Sequence, residues 1–95
     1  VADRIAHALV EQGLAACVNR LPPVSSIYRW RGSVERASEV PLLIKTTRER
    51  LQEVQDAIRA LHPYELPEVV ALPVVAGLPA YLRWVLDETQ PPQLA

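Results

Sequence analysis

Apolar positions recur along this chain with two distinct spacings. Val1, Ile5, Ala8 and Leu9 fall on one helical face, and Gly13 follows as a helix-ending residue because it enters the left-handed conformation without a Cβ clash. That spacing predicts a first helix. The next run, Leu14-Ala15-Ala16-Cys17-Val18, is short, apolar and bounded by Pro22-Pro23, which suits a buried strand. Ser26 to Arg31 carries the β-formers Ile27, Tyr28 and Trp30, and Gly32-Ser33 is the expected turn between two strands. The following strand is expected from about Glu39 to Thr46, with Val40, Leu42 and Ile44 on one face. Pro41 fits there only at a strand beginning, a bulge or an edge. A long two-stranded ribbon is the result.

Thr46 with Glu49 three residues later matches a capping box, and Leu51, Val54, Ile58 and Leu61 keep helical spacing until Pro63 disfavours continuation through His62. A second helix is therefore predicted. Pro67-Glu68-Val69-Val70-Ala71-Leu72-Pro73-Val74 is a β-branched run closed by proline and then Gly77, and it reads as a strand flanked by turns. A third helix follows, with Pro79 in its first turn. Leu78, Leu82, Val85 and Leu86, with Tyr81 and Trp84, are placed to pack it onto a sheet or a neighbour. The tail from Thr89 through Pro91-Pro92 to Ala95 has no periodicity and is expected to fray.

The predicted order is helix, strand, strand, helix, strand, helix. One more parallel strand ahead of the first helix would complete two split β-α-β units. That is the ferredoxin-like α+β arrangement, an antiparallel sheet with helices on one face, here with its first strand expected to be missing from the sequence. The chain starts at Val1 already in helical rhythm and contains no methionine, which agrees with residues lying upstream. With 95 residues, about half of them apolar, it can bury one modest core, so a single domain over 1–95 is expected.

Charge narrows the partners. Ten basic residues against eleven acidic ones give a net charge of -1, which offers no general reason to bind nucleic acid or a membrane surface. No apolar run reaches the roughly twenty residues of a membrane span, and one cysteine cannot form an internal disulfide. A cytoplasmic location fits best. Cys17, inside an apolar run, is expected to be an inert core thiol. Arg29, Arg31, Glu35, Arg36, Glu39, Arg48, Glu49 and Arg50 are expected on solvated faces or in ion pairs between subunits.

Two stretches carry candidate chemistry. Tyr28 and Trp30, on long adjacent strands, expose more apolar surface than a small monomer covers by itself, so packing within the chain or across a subunit interface is expected, with direct ligand contact as the alternative. In His62-Pro63-Tyr64-Glu65-Leu66-Pro67-Glu68, imidazole, phenol and carboxylates stand in a proline-stiffened loop. Imidazole with carboxylate ligates divalent copper or zinc, and His62 is the candidate metal ligand; alternatively His62 simply caps the helix C-terminus. His7 is expected on the solvent face of the first helix. No nucleophile elbow, phosphate loop, zinc-protease or dinucleotide motif is present, and the residues point away from an enzyme.

Gly13-Leu14-Ala15-Ala16-Cys17-Val18-Asn19, Ser26-Ile27-Tyr28-Arg29-Trp30-Arg31-Gly32, the 62–68 loop and Tyr81-Leu82-Arg83-Trp84-Val85 together resemble the CutA divalent-cation tolerance family in content, order and spacing. The resemblance runs to about Thr89. It implies a homotrimer in which strands of neighbouring subunits pair edge to edge and aromatic residues line the contacts, with Tyr28, Trp30, Tyr64, Glu68 and Trp84 as loop or interface residues. It also implies a role in tolerance of divalent cations, Cu(II) above all. In some members copper is ligated by a first-strand cysteine and two consecutive histidines before Pro-Tyr. Only His62 matches here, since Leu61 takes the other histidine position. The alternative is a trimeric small-molecule sensor or scaffold related in fold to nitrogen-regulatory signalling proteins, with ligands in clefts between subunits.

Overall fold

The computed structural model describes residues 1–63 and 65–91. Helix α1 spans Ala2–Glu11 and buries Ile5 and Leu9. It ends as the sequence demands: Gly13 sits at φ +71°, its N–H donates to the Val10 carbonyl, and Leu14 N–H reaches back to the Leu9 carbonyl at 2.9 Å. This pair of bonds is the Schellman closure, and its apolar partners Leu9 and Leu14 both enter the core.

The first strand begins later than expected. Leu14 and Ala15 are buried within the turn, and β1 spans Cys17–Arg20, paired antiparallel with β4, Leu42–Lys45. Val18 opposes Ile44 and Arg20 opposes Leu42, so Val18, Leu42 and Ile44 share the side that packs against the helices. Cys17 falls on the other side with Asn19 and is partly exposed, which corrects its expected core placement.

Strands β2 (Val24–Trp30) and β3 (Ser33–Glu39) form a hairpin whose two-residue loop is Arg31-Gly32, one position earlier than expected. Both loop residues have positive φ, +49° and +85°, as a turn matching the right-handed twist of the strands requires. Residues 33–38 escape a pattern-based reading because Ser33-Val34-Glu35-Arg36-Ala37-Ser38-Glu39 is too polar to look like a strand. The expected single strand 39–46 is thus two strands broken at Val40-Pro41.

The two ladders are successive parts of one ribbon. Arg20 pairs with Leu42 and Val24 with Glu39, so three residues (21–23) on one side face two (40–41) on the other. The surplus residue is a bulge, marked by proline on both strands, and Leu21 N–H still reaches the Pro41 carbonyl at 3.0 Å across it.

Helix α2, Leu51–Leu61, is preceded by a single 3₁₀ turn at Arg48–Arg50 and buries Val54 and Ile58. The expected capping box is not formed. Thr46 Oγ1 instead donates to the Leu14 carbonyl at 2.6 Å and ties the end of β4 to the α1–β1 turn. The helix stops at His62, whose extended ψ of 131° is what the following proline imposes. Ile5, Leu9, Leu14, Ala15, Val54 and Ile58 form the core, with Val18, Leu42, Ile44, Ala57, Leu61 and Val69 packed around it.

One expectation fails after the loop. Pro67–Val74 forms no ladder with any described residue; only Val69 reaches the core, while Leu72 and Val75 are 83% and 93% exposed. A strand requires a paired neighbour, and no described strand pairs with this segment. Helix α3, Pro79–Glu88, has Pro79 at its start as expected but buries only Val85, leaving Leu78, Leu82 and Leu86 exposed. Thr89 is buried, and its hydroxyl donates to the Val85 carbonyl at 2.8 Å. Residues 92–95 of the expected tail lie outside the described residues.

Arg50 is the other departure. It falls four and eight residues before Val54 and Ile58, on their face of the helical spiral, and it is buried. Its Nη1 donates to Glu53 Oε1 at 2.7 Å, the guanidinium being 6% exposed and the carboxylate 53%. Removing the acceptor strands a buried cation, whereas replacing the cation by an apolar chain of similar shape does not. Glu53→Ala is therefore expected to lower stability by about 1–3 kcal/mol and Arg50→Met to leave it unchanged or raise it. Urea denaturation of the two variants checks the order, and the reverse order refutes it.

Candidate functional site

Because α2 ends where Pro63 forbids another turn, the segment from His62 onward turns away from the helix axis in extended conformation. His62 is half-buried there, and its backbone N–H donates to the Ile58 carbonyl at 2.7 Å, closing the last turn. Glu65 and Glu68 are exposed, and Tyr64 lies outside the described residues.

The hairpin tip meets this loop. Arg31 Nη2 lies 2.8 Å from Glu65 Oε2, and the Arg31 guanidinium carbon stands 5.4 Å from the centre of the Trp30 ring. The turn that forces Arg31 to positive φ thus presents its side chain to both an indole face and a loop carboxylate. Trp30 and Tyr28 share one face of the hairpin, two positions apart. Of the residues singled out from sequence, Trp30 is joined to the 62–68 loop, and the link is Arg31–Glu65. Trp84 belongs to a different cluster on α3, where its ring centre is 5.6 Å from that of Tyr81 at a 40° tilt, both rings being partly exposed.

Among the described residues no group of three or more His, Cys, Asp or Glu side chains is gathered closely enough to hold a metal ion. His62 with Glu65 and Glu68 supplies imidazole and carboxylate on one short segment, and a complete ligand set would need donors from elsewhere. His7 lies on the exposed side of α1, 3.9 Å from Glu11.

Sequence reasoning misses two participants. Arg31 reads as one of the solvated charges, although its place before Gly32 in a tight turn is an available signal. Arg50 reads the same way, although its spacing to Val54 and Ile58 puts it on the buried face.

The family description "CutA1 divalent ion tolerance protein" matches residues 1–88. The chain belongs to the CutA family. The divalent-cation tolerance protein CutA of Thermus thermophilus is 49% identical over 89 residues, 94% of this chain and 86% of that protein. The solved structure of the Cut A1 protein from the same organism superposes with a TM-score of 0.92 at 48% identity, covering 94% of this chain and 86% of that one. A CutA from Nostoc sp. PCC 7120, described as PII-like and solved in apo form, gives a TM-score of 0.85 at 43% identity, covering 93% and 86%. Mouse protein CutA is 49% identical over 90 residues, 95% of this chain but 51% of its own length, so the chain spans about half of that relative. Among the described residues no helix is long and apolar enough to cross a membrane.

The Arg31–Glu65 pair is 70% exposed on both sides, so solvent screens it strongly. A double-mutant cycle on Arg31→Ala and Glu65→Ala is expected to give a coupling below about 1 kcal/mol that shrinks as salt is added. A larger, salt-insensitive coupling would mean that the pair is shielded from solvent.

Proposed function

We propose that the chain is a non-enzymatic divalent-cation tolerance protein, copper foremost, that works as a cytoplasmic homotrimer with a ferredoxin-like core. The family match across residues 1–88 carries this reading. Relatives are named for tolerance of divalent cations and not for a reaction. Location varies among them: the Archaeoglobus fulgidus relative is described as periplasmic and plant relatives as chloroplastic, so the cytoplasmic placement rests on this chain's own composition.

Assembly is supported by what the single chain leaves uncovered. Val70, Leu72, Val74 and Val75 lie on an extended segment with no described strand beside it, and Ile27 and Val34 are exposed on the hairpin. An unpaired apolar edge of this kind is an aggregation hazard unless another strand covers it. Pairing with neighbouring subunits would complete the sheet and bury Tyr28, Trp30 and Trp84 at contacts. Within the trimer, His62 with Glu68 and Tyr64 would contribute to a divalent-cation site completed by donors of another subunit.

A second reading, a trimeric small-molecule sensor or scaffold, is favoured by one observation, the PII-like description of the Nostoc relative.

Isothermal titration with Cu(II) and Zn(II), on the protein and on His62→Ala, tests the cation reading. Saturable binding abolished by His62→Ala is expected. No binding beyond a nonspecific control would make the tolerance role indirect and favour the sensor or scaffold. For an obligate trimer the thermal unfolding midpoint is expected to rise with protein concentration, because dissociation accompanies unfolding. A midpoint independent of concentration removes the trimer from the proposal.

A further inference from the structure

A depression of about 480 Å³ opens between the C-terminal end of α1 and the first turns of α2, lined by Gln12, Leu14, Arg50, Glu53, Asp56 and Ala57. It shares no residue with the 62–68 loop or the hairpin tip. We propose that it binds a small zwitterion bearing a carboxylate and an ammonium on a short aliphatic body, the chemistry of an α-amino acid.

The buried guanidinium carries the argument. Arginine presents five N–H donors in a planar fork, yet Glu53 takes Nη1 alone, and Arg50 Nε is buried with no acceptor among the described residues. A buried, under-satisfied guanidinium is a site for a carboxylate, whose two oxygens match the fork. Glu53 is the movable member of the pair, being half exposed where Arg50 is 6% exposed. An incoming carboxylate can displace it from Nη1 while Glu53 turns outward.

The remaining walls decide what else the ligand carries. Glu53 and Asp56 lie three residues apart, on neighbouring turns of one helix face, and Gln52 Nε2 already holds Asp56 Oδ1 at 3.1 Å. Two carboxylates against one guanidinium repel a simple anion, and a simple cation leaves Arg50 unsatisfied. A molecule with both charges meets both demands: its carboxylate on Arg50, its ammonium on Asp56 and the outward-turned Glu53. Leu14 and Ala57 offer an apolar wall to a short side chain, and the Gln12 carboxamide a further polar contact.

The test is calorimetric titration of the purified protein with L-valine, beside isovalerate and isobutylamine, which each keep one of the two charges. Saturable L-valine binding is expected, with both single-charge analogues weaker by about tenfold or more. Arg50→Met should weaken it at least as much, and Asp56→Asn, a substitution at an exposed position, should weaken it with the fold intact by circular dichroism. The second variant decides the matter if Arg50→Met does not fold. Absence of saturable L-valine binding at millimolar concentration overturns the proposal. So does affinity unchanged in the folded variants, or isovalerate binding as tightly as L-valine.

Discussion

Everything else in this fold hangs on one thin aliphatic layer. Ile5 and Leu9 of α1, Val54 and Ile58 of α2, and Leu14 with Ala15 in the turn are the side chains that leave water, and one side of the β1–β4 pair closes over them. A layer so small can hold two helices against two strands and no more. The hairpin beyond the bulge, the extended segment after the loop and most of α3 are left with apolar side chains facing outward. The single-chain core is too poor to cover them.

The junction between α1 and β1 concentrates that dependence. Gly13 turns the chain back over its own helix, Leu14 drops into the layer beside Leu9, and the Leu14 carbonyl receives the Thr46 hydroxyl from the far end of β4. Two consecutive elements and the end of a distant strand are pinned through two adjacent residues. Arg50, arriving beside the same junction, gives the layer a charged margin whose acceptor is Glu53, three positions further along the chain.

What the sequence made legible and what it hid divide along physical lines. The helices were readable because burial imposes a period near 3.6 on Ile5 and Leu9, and on Val54 and Ile58, and because Gly13 and Pro63 punctuate their ends. The hairpin's second strand was not, since the exposed Ser33–Glu39 carries no alternation to read. Thr46 and Glu49 satisfied the pattern of a helix cap, yet the tertiary bond to Leu14 claimed the threonine. The segment after Pro67 had the composition of a strand, but strand formation depends on a neighbour and not on composition alone. For the site, His62 and the loop were visible as residue types, while the meeting of Arg31 with Glu65, thirty-four positions apart, came only from the fold.

The bulge at Pro22-Pro23 sets something that no side chain in the ribbon specifies. In β1–β4, even-numbered residues stand opposite even-numbered ones, as Val18 does Ile44; in β2–β3 they stand opposite odd-numbered ones, as Tyr28 does Glu35. Side chains alternate across a ribbon, and the surplus residue in 21–23 absorbs that change of parity, so loss of one residue there would remove the bulge and leave the hairpin's aromatic side where it is relative to the helices. The bend and added twist between the two ladders are therefore a matter of parity, fixed by the one-residue surplus of a three-residue connection over a two-residue one.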